Sequence, residues 1–138
     1  MMTNTTNSQF NDYTTPTALS LASRMSRKYA LKTGTTNTDS WAVGYNPDLL
    51  MLVWVGNDEA KEVDSTASYY TKNIWLDTME SYLEGTENTW YETPQNVVGL
   101  VRDGITGKED LNSINNTIFY YVKGTEILAN TYKNDISE

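Results

Sequence analysis

Residues 32–36 read Lys32-Thr33-Gly34-Thr35-Thr36. Five positions supply an ammonium, three hydroxyls and a residue without Cβ. The ammonium is a compact point charge suited to an anionic group, and the glycine lets another chain come close to the backbone. The segment lies in what reads as a core strand, where a charge and a glycine are both unusual. The 138-residue chain has no histidine and no cysteine. Ser-His-Asp chemistry is therefore impossible within it, and so are disulfides, thiolate catalysis and cysteine metal sites. A serine nucleophile would need a lysine as its base. No metal and no cofactor is expected.

The elements that must hold these residues follow from periodicity. Residues 17–25, TALSLASRM, place Ala18, Leu21, Ala22 and Met25 at helical spacing, with Thr17 as a possible cap. Strands are predicted at Tyr29–Thr36, Trp41–Tyr45 and Leu49–Val55, the last two separated by the turn signal Asn46-Pro47-Asp48. Short connections make them an antiparallel meander. Leu49–Val55 is apolar on both faces, which predicts a central strand covered on both sides. A helix should follow, capped by Asp64, Ser65 or Thr66 and ended by Gly85. Its predicted buried stripe is Ala67, Thr71, Ile74, Trp75, Thr78, Met79 and Tyr82. Two further β-rich runs, Val97–Val101 and Ile118–Val122, are joined by Asp103-Gly104 and Thr106-Gly107-Lys108 and suggest a hairpin-like appendage. Residues 125–138 carry no pattern and read as a loose end. The class is α+β, a three-stranded antiparallel meander packed by a C-terminal helix, with a small β-rich tail.

Charge narrows the partners. Residues 1–57 hold four basic and three acidic groups, and residues 58–138 hold six basic and fifteen acidic ones. An acidic tail without a Lys/Arg cluster argues against nucleic acid and reads as a solvated surface. No stretch approaches the length of a membrane helix. The first residues lack the basic and apolar regions of a signal peptide, so neither an export signal nor an anchor is expected in this chain.

Lys32-Thr33-Gly34 alone is a weak motif, since an edge-strand lysine also deters unwanted strand pairing. Its surroundings carry more. After KTG come Thr35-Thr36, then Asp39-Ser40-Trp41-Ala42-Val43-Gly44-Tyr45, Pro47-Asp48-Leu49 and Val53-Trp54-Val55-Gly56-Asn57-Asp58. This train resembles the C-terminal part of the transpeptidase domain of class A penicillin-binding proteins, where K-T-G accompanies S-x-x-K and S-D-N type motifs. Ile74-Trp75 and Met79 match that family's C-terminal helix, and Thr106-Gly107 and Tyr121–Thr125 resemble the end of such chains. The likeness covers most of residues 17–125 and is most specific over 30–58.

The resemblance implies a five-stranded sheet of which three strands are here. It assigns residues 1–92 to the transpeptidase domain and 93–138 to the appendage and tail. It implies a peptidoglycan D,D-transpeptidase that binds D-Ala-D-Ala stem peptides and β-lactams at the outer face of the bacterial cytoplasmic membrane. Lys32 would face the substrate carboxylate and the nucleophile. The Thr35 N–H would enter the oxyanion hole, with its hydroxyl free to bond the carboxylate. Thr33 would bond the facing motif, Gly34 would admit the substrate backbone, and Thr36 would hold the strand end. Trp41, Gly44, Tyr45 and Trp54 read as packing residues, and Asp58 as a strand-end residue.

The family pattern is not complete. No lysine has a serine three positions before it, and Ser113-Ile114-Asn115, the one S-x-N, follows KTG where the family places that motif before it. Leu31 stands where the family usually has glycine. A partner carrying the nucleophilic serine is therefore expected, and the chain by itself is expected to be inactive. The alternative is a non-catalytic module that binds stem peptides or a protein partner.

Overall fold

Three strands follow one another in hairpin order: β1 (Ala30–Thr35), β2 (Asp39–Tyr45) and β3 (Leu50–Gly56). They form one antiparallel sheet with β2 in the middle. The structure is a computed structural model that describes residues 2–8, 15–110 and 112–126. The chain divides into two compact units, Met1–Tyr91 and Glu92–Glu138.

Both turns of the meander are fixed by side chains that satisfy local N–H groups. The Thr36 hydroxyl oxygen accepts from the N–H of Thr38 at 3.1 Å and of Asp39 at 3.0 Å, while the Thr36 N–H donates to the Asp39 carbonyl at 2.8 Å. Asn46, itself buried, accepts from Asp48 N–H at 3.2 Å and Leu49 N–H at 2.9 Å. Such Asx and Ser/Thr turns give the backbone an alternative to the ladder where the chain must reverse.

One face of the sheet is closed by α1 (Ala67–Tyr82). Leu31, Ala42 and Val53 form its buried cluster with Trp75, Leu76, Met79 and Leu83. Trp75 is the anchor. It is fully buried, its indole N–H donates to the Met51 carbonyl at 3.1 Å, and its ring meets Tyr29 edge-on at 5.3 Å. The ring sits over Gly44, where an added Cβ would lie 2.4 Å from Trp75 and 2.7 Å from the Ala30 carbonyl. Gly44 is thus glycine because the tryptophan occupies the space.

The stretch before β1 straps the same helix. Leu19–Arg24 is a 3-10 helix. Arg24 pairs with Asp77 and Asn73, and the Lys72 ammonium donates to the Thr17 carbonyl at 3.2 Å. Arg27 donates to the Leu83 carbonyl at 2.7 Å and to the Thr86 hydroxyl at 2.9 Å, covering orphan carbonyls at the end of α1. Lys28 lies 4.6 Å over the Trp90 ring.

Several expectations are corrected. Among the described residues β3 is an edge strand, not a central one. Leu50, Leu52 and Trp54 on its far face are 67%, 53% and 41% exposed. Two-faced apolarity marks a surface that something could cover, and none of the described residues does. Thr17 is not a cap, because the 3-10 helix starts after Ala18 with no side-chain cap bond. Of the candidate caps of α1, Thr66 stands at the N-cap without a side-chain cap bond, and Asp64 instead fixes the turn before it. Its carboxylate accepts the Thr66 N–H at 2.8 Å and hydroxyl at 2.6 Å, which also holds it below the usual carboxylate range. In the helix stripe, Ile74, Thr78 and Tyr82 face solvent, while Leu76 and Leu83 are buried. The buried positions are 67, 71, 75, 76, 79 and 83, so the stripe is turned toward Leu76 and Leu83 and away from Ile74, Thr78 and Tyr82. Gly85, at φ +74, takes the left-handed conformation one place beyond the expected C′ position, since the helix ends at Tyr82 with Leu83 as its C-cap.

The second unit pairs β4 (Val97–Asp103) with β5 (Asn116–Val122) in antiparallel register. Its connection is organised by Asp103. That carboxylate accepts the Ser113 hydroxyl, the Thr106 N–H at 2.6 Å and hydroxyl at 2.7 Å, and the Ile105 N–H at 3.1 Å. These bonds, Ser113 first, lower its pKa to about 2. Ser113 of the S-x-N triplet is therefore committed to a loop. The loose end predicted at 125–138 lies, from residue 127 on, outside the described residues.

Candidate functional site

The KTG residues occupy an edge. Among the described residues β1 pairs only with β2, through Lys32 opposite Val43, Thr33 opposite Ala42, Gly34 opposite Trp41 and Thr35 opposite Ser40. In an antiparallel ladder the N–H and C=O of one residue point to the same side, and neighbours alternate. The Thr5 hydroxyl donates to the Leu31 carbonyl at 3.0 Å, so Leu31 faces away from β2. By the same alternation Thr33 and Thr35 face outwards too. Beyond Thr35 the edge closes again, where the Val63 N–H donates to the Asn37 carbonyl at 2.9 Å.

The open edge is therefore a gap two outward residues long. Among the described residues, the Thr33 N–H and both backbone groups of Thr35 make no hydrogen bond outside the sheet. Lys32 is exposed, and its ammonium turns onto the Thr33 carbonyl, which brings the positive charge to this gap. Thr35 and Thr36 are exposed and Thr33 half-buried. At Gly34 an added Cβ would meet only the Trp41 Cβ, at 3.7 Å, an ordinary contact. Among the described residues nothing requires glycine there.

At the Thr35 end the gap opens into a cleft of about 320 Å³ between Thr35–Asn37 and residues 62–68, with Glu62, Asp64 and Ser68 on its far wall. The turn beside it is braced by Asp39. Its carboxylate accepts the Thr38 hydroxyl at 2.6 Å, the Trp54 indole N–H at 2.9 Å and the Thr36 hydroxyl at 3.3 Å. Thr38 and then Trp54 hold its pKa below the ordinary carboxylate value. β1 carries Lys32, Thr33, Gly34 and Thr35 together, and Thr36 sits at the turn. Thr5, Val63 and Asp39 were not singled out from the sequence. The first two act from 26 residues away on either side of Leu31 and Asn37, with no local signal; only the Thr36–Asp39 turn chemistry could have pointed to Asp39.

The arrangement can accept an extended backbone along β1, supply an N–H at Thr35 to an oxygen, and offset a negative group with Lys32.

Comparison with known proteins gives the family. No protein-family model matches the chain. The chain is 40% identical to penicillin-binding protein 2D of Bacillus subtilis (strain 168) over 128 residues, which is 91% of this chain and 18% of that protein. It is 40% identical to penicillin-binding protein 1A of Mycobacterium tuberculosis over 87 residues, 53% of this chain and 11% of the other. The crystal structure of penicillin-binding protein 1A from Haemophilus influenzae shares the fold, with a TM-score of 0.71 and 21% identity across 90% of this chain and 20% of that one. The chain thus spans about a fifth or less of these relatives. With 40% identity along nine-tenths of its length and the same α+β fold, the chain belongs to the class A penicillin-binding proteins, as a piece of their transpeptidase region.

Proposed function

We propose that this chain is the KTG-bearing wall of a peptidoglycan D,D-transpeptidase. In this reading the substrate is a stem peptide ending in D-Ala-D-Ala, laid along the open edge of β1. Lys32 offsets the terminal carboxylate and the charge on the nucleophile. The Thr35 N–H donates to the carbonyl oxygen as it becomes an oxyanion, a contribution of about 2.7–4 kcal/mol for a donor of this kind. The Thr33 and Thr35 hydroxyls bond the carboxylate or the facing motif, and Gly34 leaves room for the peptide. Thr36 fixes the turn that ends the strand.

The serine that attacks the penultimate carbonyl, and the lysine that activates it, belong to a partner segment carrying S-x-x-K. Attack forms the acyl-enzyme and releases the last D-Ala. An amine of a second stem peptide then takes the acyl group. β-Lactams would bind along the same edge and trap the serine. Among the described residues no helix is long and apolar enough to cross a membrane. Action at the outer face of the cytoplasmic membrane is part of the proposal.

The observation that carries the reading is the two-residue open edge of β1 with Lys32 beside it and an unfilled space at Gly34. The test is complementation. A fragment carrying S-x-x-K and S-x-N is mixed with this chain, and labelling by a fluorescent penicillin is read on gels. Acylation should need both pieces and fall roughly 10²-fold with Lys32→Ala. Acylation unchanged by Lys32→Ala removes the role given to Lys32. Labelling absent from the mixture, with peptide binding by this chain alone, favours the non-catalytic module.

A further inference from the structure

Three strands meet at the end of the KTG segment through one carboxylate. Asp39 opens β2, directly opposite Gly56 of β3. Trp54 lies on the same face of β3 as Gly56 and folds its ring over that glycine, where an added Cβ would collide with the ring. From there its indole N–H donates to the Asp39 carboxylate at 2.9 Å. The same carboxylate accepts the Thr38 hydroxyl at 2.6 Å and the Thr36 hydroxyl at 3.3 Å. We infer that Trp54 and Asp39 are positioning residues for the backbone N–H of Thr35, fixing from the third strand the donor that meets the reacting carbonyl oxygen. The inference rests on the transpeptidase reading of the same edge.

The reason lies in the ladder. Thr35 points outwards between two inward rungs, Gly34 with Trp41 and Thr36 with Asp39. The second rung is only half backbone. The Thr36 N–H donates to the Asp39 carbonyl at 2.8 Å. The Asp39 N–H donates to the Thr36 hydroxyl oxygen at 3.0 Å, where a regular rung would use the Thr36 carbonyl. That hydroxyl oxygen also accepts the Thr38 N–H at 3.1 Å, so both lone pairs are used and only its proton is left to give. It lies 3.3 Å from the Asp39 carboxylate and 3.3 Å from the Thr38 hydroxyl, which itself donates to Asp39. Either route ends on the carboxylate. The rung beyond Thr35 is therefore closed by side chains and anchored at Trp54.

A turn in solvent could leave this carboxylate to water. Instead an indole is brought to it from β3, over a position that has to be bare. The Thr36–Asp39 turn is complete without Trp54, so closing the turn does not account for the bond. What the bond adds is a fixed relation between the end of β1 and the third strand. A donor to a developing oxyanion acts only if it is held in place beforehand. Thr35 is the last residue of β1, the place where a strand frays most readily.

The test uses this chain mixed with an excess of the fragment carrying S-x-x-K and S-x-N, and follows the rate of acylation against penicillin concentration. Trp54→Phe keeps a ring over Gly56 and removes the N–H. It should lower the rate constant at saturation roughly tenfold, part of what loss of a whole oxyanion donor costs, and leave the half-saturating concentration within about threefold. Asp39→Asn should act alike, and the double variant should fall no more than about twofold further, because the two residues work as one unit. Trp41→Phe trims an exposed indole on the same face that has no bond to Asp39, and should stay within about twofold of the unaltered chain. In this chain alone, isotopically labelled and read by NMR, Trp54→Phe should move the amide signals of Thr35, Thr36 and Asp39 and leave those of Gly44 and Tyr45. A full acylation rate in Trp54→Phe overturns the inference. So do single losses that multiply in the double variant, a loss shared by Trp41→Phe, a change confined to the half-saturating concentration, or amides at 35–39 that do not move. In each of these cases acylation persists and the transpeptidase reading stands. If the unaltered mixture takes no penicillin, that reading falls, and the positioning role with it.

Discussion

Gly34 and Gly44 sit on neighbouring strands of one sheet, and they are glycines for opposite reasons. At Gly44 the missing side chain is replaced by the chain itself, because Trp75 and the Ala30 carbonyl fill the space. At Gly34 the space stays empty, with the nearest atom at ordinary contact distance. The Gly44 region is a closed packing joint between sheet and helix. The Gly34 region is an edge kept clear. A glycine inside a strand weakens it, so each needs a reason. One is found within the molecule, and the proposed function supplies the other, a peptide backbone laid along the edge.

The comparison can be broken from its strong side first. Trp75→Ala should cost about 3–5 kcal/mol of stability, as expected for a buried aromatic anchor, read by chemical denaturation. An unchanged midpoint would show that the joint does not hold the helix. Next, Gly44→Ala should cost about 1–3 kcal/mol or more through overpacking. In the Trp75→Ala background that cost should shrink by about 1 kcal/mol, since the two residues compete for one volume. Strict additivity would mean that the Ala30 carbonyl, not the indole, excludes a side chain there. Gly34→Ala should shift stability by no more than about 0.5 kcal/mol and yet lower complemented penicillin labelling roughly 10²-fold, because displacement of about 1 Å at the reacting centre is costly. A stable variant with full labelling would return Gly34 to the class of ordinary strand residues.

The smallest effect concerns acid. The pKa of Asp39 is lowered in the folded state by Thr38, Trp54 and Thr36. A depressed carboxylate stabilises the fold above its unfolded value, and that contribution is lost as pH falls below it. Acidification below about pH 4 should therefore loosen the Thr36–Asp39 turn beside Gly34 before it affects the Gly44 joint. Asp39→Asn should flatten this local dependence, followed by amide exchange at residues 35–40 against residues 43–46. Equal loosening at both ends would refute a local origin.

Much of the fold was legible because local rules agreed with the global result. Asn46-Pro47-Asp48 announced a turn, the three apolar runs announced strands, and Thr66, one of three candidate caps, and Gly85 marked the helix ends to within two residues of the observed caps. What escaped was decided at a distance. Leu49–Val55 has the composition of a covered strand, but which strand lies in the middle depends on what pairs with it, and here that is β2. The helix stripe missed Leu76 and Leu83 because the choice between three- and four-residue spacing is settled by the sheet surface it meets. At the candidate site, the residue types of 32–36 were visible, whereas the closure of the edge by Thr5 and Val63 was not. Each acts through one hydrogen bond to a backbone carbonyl across a long sequence separation, Thr5 from its hydroxyl and Val63 from its N–H, and such bonds leave no periodicity behind.

Three of the four tryptophans form two separate optical reporters, and the fourth, Trp90, is half-buried under Lys28. Trp75 has no exposed surface, while Trp41 and Trp54 are each 41% exposed, with ring centroids 5.9 Å apart on the opposite face of the sheet. Emission from Trp75 should be blue-shifted and hard to reach by a soluble quencher. Trp41 and Trp54 should emit further to the red and be quenched readily. Anything that comes to cover the bare face of the sheet would then protect the red component and leave the blue one unchanged, so a quencher titration distinguishes docking on that face from a change in the folded core.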